Sequence, residues 1–302
     1  MRTAAALRAL PLAAALLPLA WSAPARAEEV VRRVGSVTFR VDVSQAFPGG
    51  VVAIRLGSRV RLGGAWAVLE GRRAPFLPVR GVPRALVPIS AAAEPGPVTL
   101  GVEIAARGGT QRIGIPITLG TRAYPPRTIV LDERLRALAG REDAAHDGRR
   151  LLALLRAAPT KAEPGPLLPP VDAPGRGFGE PRIHPGASRV LSLTDGLHGE
   201  RHRGIDYPVP AATPVRAPGT GTVLFAGPLV LTGETVVIDH GQGVVSVLSH
   251  LSRADVRTGD AVPAAAPIGL SGQTGLAPEP LLEWRVYLHA VPVDPTVLAP
   301  LL

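Results

Sequence analysis

The stretch His202–Gly227, HRGIDYPVPAATPVRAPGTGTVLFAG, decides how the second half of this chain folds. Its repeated prolines and glycines forbid a long helix. What remains are short β-prone runs, TPVRAP and GTVLFAG, joined by turns. The first five residues set His202 and Asp206 four apart around Gly204. On a helix that spacing would share a face; with Pro208 and Pro210 following, a tight turn entering a strand must do the same job. An imidazole and a carboxylate so placed could hold zinc through nitrogen and oxygen. They could equally be a hydrogen-bonded pair that fixes the turn.

Working outward, ETVVIDH, VVSVLSHL, APIGLSG and LLEWRVYL continue the short-strand pattern to the end of the chain. Six of the seven histidines (184, 198, 202, 240, 250 and 289) lie beyond Phe178, and only His146 lies before it. Chemistry is therefore expected in this half. His240 reads as a turn residue, His289 as the outer end of the last strand, and His146 as solvated. His198 is a spare ligand only if its loop folds back.

The succession HRGID, TVVIDHGQGVVSVLSHLSRADVRTGDAV (235–262) and IGLSGQTG (268–275) resembles the lysostaphin/LytM-type peptidoglycan endopeptidase family. The resemblance covers about residues 178–298 and implies a LytM-like antiparallel β domain around zinc. By that likeness His202 and Asp206 match the first two metal ligands. His250, in SHLS, matches the histidine beside the metal-bound water. The family closes with a His-Leu-His strand carrying the general base and then the third ligand. Aligned from Thr274–Gly275, those positions hold Leu281 and Glu283 here, followed by Trp284. Residues two apart on a strand face the same way, so the spacing survives while the chemistry changes. Leu281 cannot accept a proton. Glu283 is a substitute ligand, or a strand residue at a site that no longer binds metal. Leu248 stands where many relatives carry an oxyanion-stabilising Tyr, and Pro185 where an Asn is usual. A general base contributes roughly 10²–10⁴-fold and an oxyanion donor roughly 10²–10³-fold. Efficient hydrolysis is not expected.

Residues 1–27 read as a signal peptide. Arg2 and Arg8 precede the apolar run ALPLAAALLPLAW, and ARA closes it at Ala27. The run is short for a membrane span and is broken by Pro11 and Pro18. The expected location is periplasmic or extracellular, with no membrane span after cleavage. Residues 28–125 read as a β-sandwich-like domain without a histidine. Residues 126–177 read as a helical segment and a Pro-rich linker, with Asp132 as a cap and a break at Gly140 or Gly148. Residues 178–302 form the LytM-like unit. The fold class is mainly β.

The chain has no cysteine, so any metal must be held by His, Asp and Glu. The formal charge of +9 falls to about +6 without the leader. Scattered arginines, a single lysine and few aromatics argue against nucleic acid. VRTGDAVPAAAPIG (256–269) also resembles half of a biotinyl or lipoyl carrier module. The sole lysine, Lys161, lies in the linker and excludes that class. The reading is an exported, peptidoglycan-associated protein, catalytically impaired, that acts by wall binding or by regulating a partner wall hydrolase. The rival is a zinc endopeptidase with His202, Asp206 and Glu283 on the metal and His250 as acid/base.

Overall fold

The structure is a computed structural model that describes residues 29–35, 37–57, 64–106, 109–157, 162–183 and 201–302. The expected leader, Lys161, His184, Pro185 and His198 lie outside the described residues.

Nine strands come first: β1 (Glu29–Val34), β2 (Val37–Asp42), β3 (Val51–Leu56), β4 (Ala65–Leu69), β5 (Arg72–Pro75), β6 (Leu77–Val79), β7 (Val82–Pro88), β8 (Gly96–Ala106) and β9 (Gly109–Leu119). They form two antiparallel sheets, ordered β1-β2-β3-β7-β6 and β5-β4-β8-β9. Alternation explains the packing. In VTFRVD, Phe39 and Val41 point inward and are fully buried while Arg40 is exposed. They join Ile54, Leu56, Leu100 and Ile115 in one core between the sheets.

A short strand, β10 (Arg127–Thr128), leads into α1 (Glu133–Ala139) and α2 (Glu142–Ala157). Asp132 caps α1 by accepting from the Leu135 amide at 2.8 Å. Gly140 ends it, so the helical pattern divides in two at the first glycine. The Pro-rich segment that follows is irregular until β11 (Arg182–Ile183), which pairs in parallel with β10.

The remaining strands are β12 (Ile205–Tyr207), β13 (Pro214–Arg216), β14 (Gly221–Leu229), β15 (Gly233–Gly241), β16 (Val244–Ala254), β17 (Ala261–Val262), β18 (Pro267–Ser271), β19 (Leu282–Leu288) and β20 (Val291–Val293). They make a nine-stranded sheet with the path β12-β19-β16-β15-β14-β17. A short α3 (Pro295–Leu298), capped by Asp294, follows. Every residue of β19 is buried. One face of this sheet lies in a core with Val236, Ile238, Leu248 and Trp284. The other is covered by Leu151 and Leu155 of α2, which pack with Phe225, Val237 and Tyr287. Burial on both faces is why VVSVL lacks strict polar alternation.

The two halves share a core. Val51, Ala53 and Leu86 from the outer face of the first sheet belong to the same cluster as Val286 and Val293. Asp294 ties the junction: its amide donates to Gly49 at 3.0 Å and its carboxylate pairs with Arg122 at 2.8 Å. Among the described residues no helix is long and apolar enough to cross a membrane.

His240 departs from its sequence reading. It lies within β15, is buried, and is fully engaged. Its Nδ1–H donates to Thr220 O at 2.9 Å, and Nε2 accepts from Ser246 Oγ at 2.8 Å. Trp284 Nε1 donates to the same hydroxyl at 3.0 Å. Burial keeps this imidazole neutral by lowering its pKa.

His289 and Ala290 form the two-residue loop between β19 and β20, with φ of 50° and 61°, the geometry of a type I′ turn. His289 shares a small cavity with Leu77 and Leu86, and burial pushes its pKa down to about 4. An unfolded histidine titrates near 6.5, so the folded state resists protonation here. Stability is full above about pH 6.5 and falls as pH drops toward about 4. Replacing His289 by Asn, which tolerates the left-handed backbone, should shrink that decline in melting curves recorded between those pH values.

Candidate functional site

The site begins with strand register. β12 and β19 run antiparallel with Asp206 directly opposite Glu283, and β16 places Ser249 on the other side of Glu283. Two carboxylates, 6% and 1% exposed, are thus held side by side. Opposed like charges repel, and a buried charge without a partner is costly. The neighbouring residues answer both problems.

His202 is delivered by the HRGID turn. Its backbone pairs with Gly179 and Glu180, and the Asp206 backbone with Arg176, so the Pro-rich segment itself braces the turn. Gly204 is required there: a Cβ would sit 2.7 Å from Arg285 Cγ and 2.9 Å from Trp284 O. The His202 ring is 3% exposed. Nδ1–H donates to Gly177 O at 2.9 Å, since a carbonyl can only accept, and this directs Nε2 into the site. Nε2 lies 2.8 Å from Glu283 Oε1 and 3.2 Å from Asp206 Oδ1.

Each carboxylate turns its other oxygen to a guanidinium. Arg285 NH2 lies 2.7 Å from Glu283 Oε2, and Arg182 NH2 donates to Asp206 Oδ2 at 2.6 Å. Arg127, paired in register with Arg182, reaches from Asp206 Oδ2 at 3.7 Å to Glu279 Oε1 at 3.4 Å. It therefore links the Asp206 and Glu279 carboxylates. Burial pushes the Glu283 pKa up, but Arg285 and His202 outweigh it and hold the carboxylate well below its ordinary range. At Asp206 the same opposition, with His202 and Arg182 on the winning side, lowers the pKa. At His202 burial lowers the pKa and Asp206 raises it, with a net rise.

His250 reaches this face by a backbone device. Simple alternation from Ser249 would turn it away from Glu283, but its φ of 66° reverses the direction. Nδ1–H donates to Thr274 O at 2.8 Å, leaving Nε2 3.6 Å from Glu283 Oε2. That is an ion-pair distance, too long for a hydrogen bond. Thr274 is clamped in turn, its hydroxyl donating to Leu251 O at 2.6 Å and accepting from the Glu234 amide at 2.9 Å. Leu281 sits at the mouth of β19, 7% exposed, presenting only hydrocarbon.

His202, Asp206 and Glu283 are thus brought together, with ligand atoms all within 4.8 Å of one another, and His250 stands beside them. The sequence reading missed Arg285 and Arg182. Arg285 was legible as the residue two after Glu283 in EWR, hence on the same strand face. Arg182 carried no comparable signal. The set fits a divalent metal: donor separations of 2.8 and 3.2 Å approach the roughly 3.3 Å edge of a tetrahedron with zinc-length bonds. The tautomer of His202 and the arginine anchors on the outer oxygens are the second-shell supports such a site uses.

The sequence profile described as peptidase family M23 matches residues 200–295. Residues 200–295 form an M23 peptidase domain. Over 128 residues the chain is 34% identical to the peptidoglycan DD-endopeptidase ShyA of Vibrio cholerae, covering 41% of this chain and 28% of that protein. Over 98 residues it is 37% identical to the DD-carboxypeptidase/endopeptidase Mpg of Neisseria meningitidis, covering 32% and 23%. The chain spans about a quarter of the length of these curated relatives. A solved M23 peptidase structure from Pseudomonas aeruginosa superposes with a TM-score of 0.61 at 29% identity, covering 83% of this chain and 94% of that one. That likeness extends past the M23 domain into the N-terminal strands.

Removing Arg285 should expose the dependence of the cluster on its cations. Arg285→Met leaves Glu283 buried beside Asp206 without its guanidinium and should cost about 3–5 kcal/mol. The double change Glu283→Leu/Arg285→Met should cost less than the single one in urea unfolding. A single variant as stable as the parent would contradict the electrostatic account.

Proposed function

We propose that this protein is a peptidoglycan-associated member of the M23 group whose catalytic centre is impaired, acting by wall binding or by regulating a wall hydrolase. The observation that carries the reading is Leu281. The position that resembles the family's proton acceptor holds a buried hydrocarbon side chain. Arg285 and Arg127 add to it by placing fixed positive charge over the carboxylates that remain. Export through the N-terminal segment, and a periplasmic or extracellular site of action, belong to the same proposal.

His202 Nε2, Asp206 Oδ1 and Glu283 Oε1 would hold a metal, which when bound supplies Lewis acidity toward a peptide carbonyl and toward water. Two oxygens and one nitrogen lean toward harder ions than a donor set with two imidazoles. The protein's own groups do the rest. Gly177 O orients His202, Arg182 and Arg285 keep both carboxylates ionised, and His250 Nε2 is the imidazole nitrogen available to carry a proton. That last feature favours the second reading, a slow zinc endopeptidase with His250 as acid/base.

Cross-linked muropeptides, incubated with zinc-supplemented full chain, separate the two. The wild type should retain intact wall sacculi by co-sedimentation without releasing cleaved peptides. Cleavage by wild type that is lost in Asp206→Ala would establish the enzyme instead. The converse test restores the family residues with Leu281→His and Glu283→His, in a background that also carries Arg285→Met. Arg285 must change too, because Glu283→His alone strips a buried guanidinium of its carboxylate. Activity should rise by roughly 10²-fold or more, the contribution of a general base.

A further inference from the structure

A second basic cluster lies on the first sheet, outside the group of His202, Asp206 and Glu283. Arg40, Arg55 and Arg84 are successive partners across β2, β3 and β7, forming one row on a single sheet face. Directly opposed like charges destabilise a sheet, so such a row calls for counter-charge. Arg40 has it in Glu29, at 2.8 Å. Arg55 forms no ion pair among the described residues, and Arg84 NH1 donates to a carbonyl, Leu301 O, at 2.6 Å. Arg80, in the turn between β6 and β7, is likewise without an ion pair among them.

Arg55, Arg80 and Arg84 line one cavity of about 520 Å³. Asp42 is the one acidic side chain in its lining, and one oxygen of that group already accepts from the Ser44 amide at 3.0 Å. The remaining side chains of the lining are apolar, from Val79, Val82 and residues 300–302. Arg84 is nine-tenths buried. Burial lowers its pKa, Arg55 adds repulsion, Glu163 opposes, and Arg80 repels again.

We propose that this cavity binds an oxyanion, a carboxylate or a phosphate, bearing a short apolar group. Guanidinium forks match either oxyanion in bidentate geometry, and a bound anion would remove the repulsion along the row. The apolar walls and the volume suit a small ligand. The cavity joins the first sheet to the segment after α3, so the occupant would bridge both halves of the protein. This inference does not rest on the reading of the M23 site.

Titration calorimetry and thermal melting of the full chain test it, with inorganic phosphate and N-acetylleucine as probes. At least one probe should bind with unit stoichiometry and raise the melting temperature. Arg55→Gln and Arg80→Gln, at exposed side chains, should each weaken binding about 10-fold or more, as expected for a charged hydrogen bond. Arg40→Gln, in the same row but already paired, should leave binding unchanged. Preference for phosphate assigns a phosphate-bearing ligand, and preference for N-acetylleucine a carboxylate. Failure of both probes at millimolar concentration, or undiminished binding by the Arg55→Gln/Arg80→Gln double variant, overturns the proposal.

Discussion

The register that sets Asp206 opposite Glu283 is the constraint from which the rest of the site follows. Two carboxylates in a sheet interior would each tend to protonate, and together they repel. Cationic and imidazole groups converge on them instead: His202 between the inner oxygens, Arg182 and Arg285 on the outer ones, Arg127 farther out on Asp206, and His250 at the edge. The HRGID turn, the left-handed backbone of His250 and the clamp at Thr274 all place one of these groups. The pocket is thus an electrostatic balance as much as a ligand set.

That balance bears on chemistry. A group that must take a proton has to change charge during turnover, yet the carboxylates here are held ionised by fixed guanidinium charge. Leu281 offers nothing to titrate. His250 alone combines an available ring nitrogen with nearness to the cluster. The M23 peptidase domain thus holds its two buried carboxylates ionised beside the His250 imidazole.

Much of this was legible before any coordinates. Short alternating runs marked the strands, Asp132 marked the start of the first helix while its end stayed open between Gly140 and Gly148, and HRGID, SHLS and LLEWR named four residues that meet in space. The failures have a common cause. VVSVL and LLEWRVYL lie in a sheet covered on both faces, so alternation could not say which side chains point toward the site. His240 looked like a turn residue because its partners, Thr220 and Ser246, come from other strands. Arg182 reaches Asp206 only through the parallel β10–β11 pairing, a long-range register that no local pattern encodes.

The core shared by the two halves has a mechanical consequence. Pulling the first sheet from the nine-stranded sheet would bare Val51, Ala53 and Leu86 to water along with their partners, and would break the Asp294–Arg122 tie. A wedge of that kind resists hinge bending and so braces the sheet in which Asp206 and Glu283 lie side by side.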